Sequence, residues 1–173
     1  MPQRETRFTV NAQLLELWKF IRDMESLCTC IPGVEKIVLL DERTADLTVK
    51  EKVGVIPMVL TLRASIESED PPHRLHATAR AEHLTMTIDV SLEKTANGTE
   101  LRGLFEVTGT GQLKPIVDRL FEKRATERAA QFADCLQKRF GAVPPASAPA
   151  PVPGSWLSRL WRRLLEWFAH RRN

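Results

Sequence analysis

Tyrosine is missing from this sequence, and so are a glycine-rich phosphate loop, a nucleophile motif and any metal-type spacing of cysteine and histidine. Those absences remove the usual starting points for phosphoryl transfer, covalent acyl chemistry and zinc chemistry. No run approaches 18 uncharged apolar residues, so the sequence writes no membrane-spanning helix. Cysteine is scarce: Cys28, Cys30 and Cys135 make an odd count with no C-x-x-C pair. Together with the charged start Met1-Pro-Gln-Arg-Glu and the lack of an apolar leader, this usage predicts a cytoplasmic protein. Cys28 and Cys30 are expected to pack rather than react. A basic surface is also lacking over most of the chain. Residues 155–173 carry five Arg and one Glu, whereas residues 1–154 carry 20 basic and 21 acidic side chains. The sequence pI near 8.9 therefore belongs to the carboxyl end, and no nucleic-acid footprint is expected on the folded part.

What is present is an ordinary globular composition, 43% apolar and 27% charged, in a length that suits one domain with something to spare. The stretch from Leu113 to Phe140 organises it. Leu113, Val117, Phe121, Ala125, Phe132, Leu136 and Phe140 recur at helical spacing on one side, opposite Lys114, Asp118, Glu122, Lys123, Glu127 and Lys138. Gly141 follows as a stop signal. Such a helix is roughly 40 Å long at about 1.5 Å per residue.

Ahead of it, Thr6 to Val10 begins a strand, and Asn11 is placed to cap a helix with Leu14, Leu15, Trp18 and Ile21 on its apolar side. Met24 to Ile31 reads as a second short helix, stopped by Pro32-Gly33. From Val34 to Val107 nearly everything alternates with period two, and Asn97-Gly98 marks a hairpin. There is no internal repeat. The fold predicted is α+β, a curved antiparallel sheet of about seven strands gripping one long helix, over residues 1–141. Ala142 to Gly154 has five prolines and no charge, which describes a semi-extended linker reaching roughly 40 Å at about 3.1 Å per residue. Residues 155–173 form a further segment.

The inner face of that sheet is the first candidate site. Ala77, Ala79, Ala81 and Gly103 are small where they face the helix, which itself offers Ala125, Ala129 and Ala133. Small residues facing small residues either draw the layers together into a filled core or leave a cavity. The cavity would be lined by Leu47, Val49, Met58, Leu60, Leu62, Ala77, Ala79, Met86, Ile88, Phe105, Val117, Leu120 and Phe121. Glu51 falls on the same face, as a buried acid or base or as a strand-end carboxylate reaching solvent. His73, His76 and His83 pair with no carboxylate at a spacing that suggests a triad or a metal site. No catalytic residue and no metal ligand is assigned.

The second candidate is the carboxyl-terminal segment. Trp156, Leu157, Leu160, Trp161, Leu164, Leu165, Trp167 and Phe168 share one half of a helical wheel, and Ser158, Arg159, Arg162, Arg163 and Glu166 the other. This pattern describes an amphipathic helix lying in a membrane interface, with docking in a partner's groove or on its own domain as the other readings.

The order of elements resembles the helix-grip fold of the START-like, polyketide-cyclase superfamily and, more narrowly, the carbon monoxide dehydrogenase G-subunit family. The likeness rests on Cys30-Ile31-Pro32-Gly33-Val34-Glu35, on Val49 to Gly54, on Asp70-Pro71-Pro72-His73-Arg74-Leu75 and on Asn97-Gly98-Thr99-Glu100-Leu101. It covers residues 5–140. It implies a non-catalytic accessory protein that attaches a molybdenum-containing dehydrogenase to the cytoplasmic side of the inner membrane, or carries a quinone or other isoprenoid-like lipid between that enzyme and the bilayer. No covalent cofactor is implied. Glu51 stands where the family has an apolar residue, which argues against a wholly apolar cavity at that end. An enzyme of the same fold, a cyclase or hydrolase, and a membrane recruiter without ligand are the competing readings.

The tail reading has a direct test. Deleting residues 155–173 is expected to abolish sedimentation with anionic liposomes and to leave the domain soluble. Because burying one Leu or Trp side chain contributes roughly 1.5–3 kcal/mol, Trp161→Glu is expected to weaken binding far more than Arg171→Ala.

Overall fold

The computed structural model describes residues 2–53 and 55–141, with side chains at all of these except 53 and 113. The linker expected at 142–154 and the amphipathic segment at 155–173 lie outside the described residues. Seven strands form one antiparallel sheet: β1 (Gln3–Val10), β2 (Val34–Leu39), β3 (Thr44–Val53), β4 (Ile56–Asp70), β5 (Arg74–Ala81), β6 (Leu84–Thr95) and β7 (Gly98–Gly109). Their spatial order is β1-β7-β6-β5-β4-β3-β2. Helices α1 (Leu14–Arg22) and α2 (Met24–Cys28) fill the crossover from β1 to β2. A short 3-10 turn (Gly111–Leu113) leads into α3 (Lys114–Phe140), which ends at Gly141 as the sequence predicts.

Register carries the period-two alternation across the whole sheet. Ala45, Leu47 and Val49 of β3 stand opposite Ala64, Leu62 and Leu60 of β4, and Glu51 stands opposite Met58. Ala79 pairs with Ala64 and Met86, and Met86 with Val107. These residues therefore share one face. That face is filled at one end only. Val10, Leu17, Leu92, Leu101 and Leu136 are essentially inaccessible to solvent, and Trp18, Phe20, Ile21, Leu75 and Ile66 join them beneath α1 and the last turns of α3. Two edge-on aromatic contacts close this end: Phe8 on Phe132 with centroids 6.2 Å apart, and Phe20 on Phe140 at 5.4 Å.

Local differences from the sequence reading have local causes. Asn11 does not cap α1: Gln13 occupies that position without a side-chain bond, and the Asn11 N–H donates instead to the Gly141 carbonyl at 3.4 Å. Leu15 is exposed, because Leu17, Trp18, Phe20 and Ile21 supply the inward arc. Helix α2 ends at Cys28, three residues short of Ile31. The β6–β7 turn sits one residue earlier than Asn97-Gly98, since Thr95 pairs with Gly98. A side chain at Gly98 would lie 2.1 Å from the Val10 carbonyl oxygen, so the glycine is required by the close approach of β1. Cys30 does not simply pack. It is disulfide-bonded to Cys135, with Cα atoms 5.5 Å apart, which fastens the segment after α2 to α3 across 105 residues. The cytoplasmic expectation drew in part on an odd cysteine count without motif spacing, and with the Cys30–Cys135 bond cysteine usage no longer supports it.

These contacts set the stability and its response to pH. Cys135→Ser is expected to lower the unfolding free energy by about 2–4 kcal/mol, measured by urea denaturation without reductant. In the folded parent, iodoacetamide at pH 8 is expected to leave Cys28 unlabelled: burial, with the Asp23 charge adding to it, pushes its thiol up to about 11. Glu69, at the end of β4, meets Arg22 of α1 at 2.5 Å and Arg43 at 2.7 Å. Burial opposes its ionisation, but the hydrogen bonds and charges of the two arginines outweigh it and hold the carboxyl below its ordinary 4.5. A depressed folded value means that this stabilisation is full above pH 4.5 and is lost as pH falls through the folded value. Glu69→Gln is therefore expected to flatten part of the acid drop in Tm below pH 4.5 while lowering Tm at pH 7.

Candidate functional site

Helix α3 lies against β7 and β1. At its start a Cβ on Gly109 would stand 2.9 Å from Val117 Cβ, so the turn into the helix is tight. Strands β3 to β6 extend past this line of contact, and their inner face continues beyond the reach of the helix. The thirteen residues expected to line a cavity all belong to that face or to the first turns of α3. Leu47 and Ala79 are covered. The other eleven, from Val49, Met58, Leu60, Leu62, Ala77, Met86, Ile88 and Phe105 on the sheet to Val117, Leu120 and Phe121 on the helix, are only half-buried. This incompletely covered apolar stretch of the inner face, here called the cleft, contrasts with the filled end under α1. Gly103 contributes less room than its size implies, because the Phe105 ring folds over it to within 2.9 Å of where a Cβ would stand.

Two recesses lie elsewhere among the described residues. The larger, about 470 Å³, is bounded by α1, α2 and the β2–β3 turn, with Trp18, Arg22 and Glu42 in its wall. The second, about 330 Å³, is the more informative. Strand β2 begins at Val34, opposite Val49, so among the described residues no strand pairs with the outer side of β3 beyond that point, where Gly33 alone bonds to Lys50. There the recess is lined by Gly33, Val34, Glu35, Lys50, Glu51, Lys52, Arg124 and Arg128. Gly33, at φ +87°, brings its carbonyl to the Lys50 N–H at 2.8 Å and leaves no room for a Cβ, which would sit 2.8 Å from the Lys50 oxygen.

Glu51 joins this recess to the cleft. Its side chain turns inward and is 13% exposed, correcting the reading in which it reaches solvent. Arg128 Nη2 donates to Glu51 Oε2 at 2.5 Å, and Arg124 Nε stands 4.0 Å from Oε1. Arg124 also donates to Glu127 at 3.0 Å and Arg128 to Gln131 at 3.3 Å. Glu51 Oε1 is buried and accepts no hydrogen bond. The two arginines were legible in principle. At about 100° per residue, positions 124 and 128 fall in the same arc as Val117 and Phe121, so α3 carries two cations inside its apolar stripe. An inward Glu and two inward Arg are a complementary set. Elsewhere, His76 does pair with a carboxylate, Asp89 at 2.7 Å, but on the outer face of the sheet and away from the cleft. Among the described residues no group of three His, Cys, Asp or Glu converges on a point that would hold a metal, and no helix is long and apolar enough to cross a membrane.

A seven-stranded antiparallel sheet wrapped on a carboxyl-terminal helix defines the START-like helix-grip class. Solved structures bear this out. A conserved protein from Geobacillus kaustophilus superposes with a TM-score of 0.68 at 15% identity, over 80% of this chain and 95% of its own. A START superfamily protein from Mycobacterium smegmatis gives 0.63 at 12% identity, over 79% and 98%. The di-domain ARO/CYC StfQ from the steffimycin biosynthetic pathway gives 0.61 at 13%, over 80% of this chain and 50% of its own. No curated protein sequence matches the chain. Residues 7–141 match the family model of the carbon monoxide dehydrogenase G subunit (CoxG), and the chain belongs to that family.

Proposed function

We propose that this protein is a non-catalytic carrier. It holds a hydrophobic small molecule, a quinone or another isoprenoid-like lipid, in the open half of the concave face. It links a molybdenum-containing carbon monoxide dehydrogenase-type enzyme to the cytoplasmic surface of the inner membrane. The observation that carries this reading is the set of eleven half-buried apolar residues between α3 and β3–β7. A face of that kind, left in water, forgoes roughly 25 cal/mol for each Å² a ligand would cover. Membership of the CoxG family supports the choice of partner enzyme, and the Trp- and Arg-rich sequence of residues 155–173 supports membrane attachment. A quinone fits because it is flat, apolar over most of its surface and polar at its ring oxygens, while the cleft is apolar with one polar cluster at Glu51.

A second reading, a cyclase- or hydrolase-like enzyme, draws on the same cluster and on the fold shared with the ARO/CYC protein. It requires Glu51 to act on a bound substrate, and the ion pair with Arg128 already occupies one of its oxygens.

One paired measurement separates these readings. Ala77, half-buried between Ile66 and Ile88, is the position to fill. If the cleft is ligand space, Ala77→Leu is expected to leave Tm nearly unchanged and to abolish retention of decylubiquinone through gel filtration. Overpacking a filled core would instead cost about 1–3 kcal/mol. Lost stability with no ligand retained by either protein would sink the carrier and leave a recruiter. Turnover of a bound substrate that disappears in Glu51→Gln would favour the enzyme.

A further inference from the structure

Glu51 Oε1 is a buried carboxylate oxygen on the concave face with no donor of its own. A charged acceptor in that position is costly to leave unmet. Its neighbour across 4.0 Å is Arg124 Nε, too distant for a direct hydrogen bond. The partner oxygen, Oε2, is already committed to Arg128. The site therefore offers an acceptor and a cationic donor side by side, at the end of an apolar wall formed by Val49, Met58 and Leu60.

We infer that Glu51 and Arg124 bind a hydroxyl group of the ligand, the hydroxyl donating to Glu51 Oε1 and accepting from Arg124 Nε. The inference rests on the carrier reading and adds the chemistry of the ligand's head. Hydrogen bonds of about 2.7–2.9 Å from one oxygen to each partner are compatible with the 4.0 Å between them. A carbonyl oxygen satisfies only half of this arrangement: it accepts from Arg124 but has nothing to give Oε1. An ether oxygen has the same defect. The site thus distinguishes a quinol, or another ring-hydroxylated lipid, from the corresponding quinone. Arg128 is the positioning residue: its bond to Oε2, itself steadied by Gln131, holds the carboxylate and leaves Oε1 without a donor. A carrier with this preference has a direction. It removes the reduced product of a dehydrogenase that hands electrons to a quinone, rather than delivering the oxidant.

The test uses the full-length chain and three probes of one shape: decylubiquinol held anaerobic, decylubiquinone, and the dimethyl ether of the quinol. Affinities are measured by equilibrium dialysis under argon. The parent is expected to bind the quinol about tenfold more tightly than either of the others, the scale of one hydrogen bond to a charged acceptor. Glu51→Met is expected to bring the three affinities within about twofold while quinone affinity holds within about threefold. Should the lone Arg128 left behind unfold that variant, Glu51→Met with Arg128→Leu removes the pair together, which proteins tolerate far better. Equal binding of quinol and quinone by the parent overturns the hydroxyl site and leaves the carrier standing. A quinol preference that survives in the Glu51 variants overturns it as well, since another group then reads the hydroxyl. Failure of the parent to bind any of the three probes overturns the carrier reading and the inference with it.

Discussion

A helix about 10 Å across cannot cover a sheet of seven strands. Strands spaced about 4.8 Å apart make a surface roughly 29 Å wide when flat, so most of the inner face depends on curvature or on other elements for cover. Here α1, α2 and the end of α3 cover one end, and they bury Val10, Leu92 and Leu101 completely. Nothing among the described residues does the same for Met58, Leu60, Met86 and Ile88. This mismatch between helix and sheet is the origin of the cleft. The alanines of β5 reduce bulk within it but do not create it, as Ala79 is itself covered.

The Glu51–Arg128 pair belongs to the same geometry. With α3 seated on β7 and β1, the far strand β3 meets the helix through long side chains, and Arg128 and Glu51 span the gap. Pairing keeps an inward carboxylate from being an isolated charge in an apolar setting, which would be far more costly than the pair. Because Arg128 remains 31% exposed, solvent screens the attraction and the net gain in stability is modest. The cluster is better understood as a fixed polar landmark in the cleft than as a strut. Chemistry and position coincide there: the recess, the strand edge left bare by β2 and the inner face meet at one side chain.

Much of the fold was legible because its signals are local. Alternation in β4, β5 and β6 fixed strands and faces together, and the family resemblance supplied the order in which they wrap. Glu51 was legible as an oddity for the same reason, since parity placed it beside Leu47 and Val49. Arg128 was legible as a cation inside the apolar stripe of α3, but its pairing with Glu51, 77 residues away, was not, because only the closed fold brings them together. The disulfide escaped for a related reason. Spacing in sequence says nothing about a bond between Cys30 and Cys135, and an odd cysteine count says only that at least one thiol stays unpaired. The capping role given to Asn11 failed on competition: the end of α3 claims its backbone N–H first. Gly103 illustrates the limit of reasoning from residue size, since a neighbouring ring took the space.

Helix α3 is held very differently at its two ends. Its last turns carry Leu136 without solvent contact, the Cys30–Cys135 bond and the rings of Phe132 and Phe140. Its first turns carry half-exposed Val117, Leu120 and Phe121 above the cleft. Local opening is cheapest where buried contacts are fewest. Amide protons along this one helix should therefore exchange at graded rates, fast near Val117 and Phe121 and slow near Cys135 and Leu136. On the carrier reading proposed above, a ligand would lift the loose end while the anchored end holds the sheet in register. Entry and release need no global unfolding, because the fold concentrates its weakness in the segment that roofs the cleft.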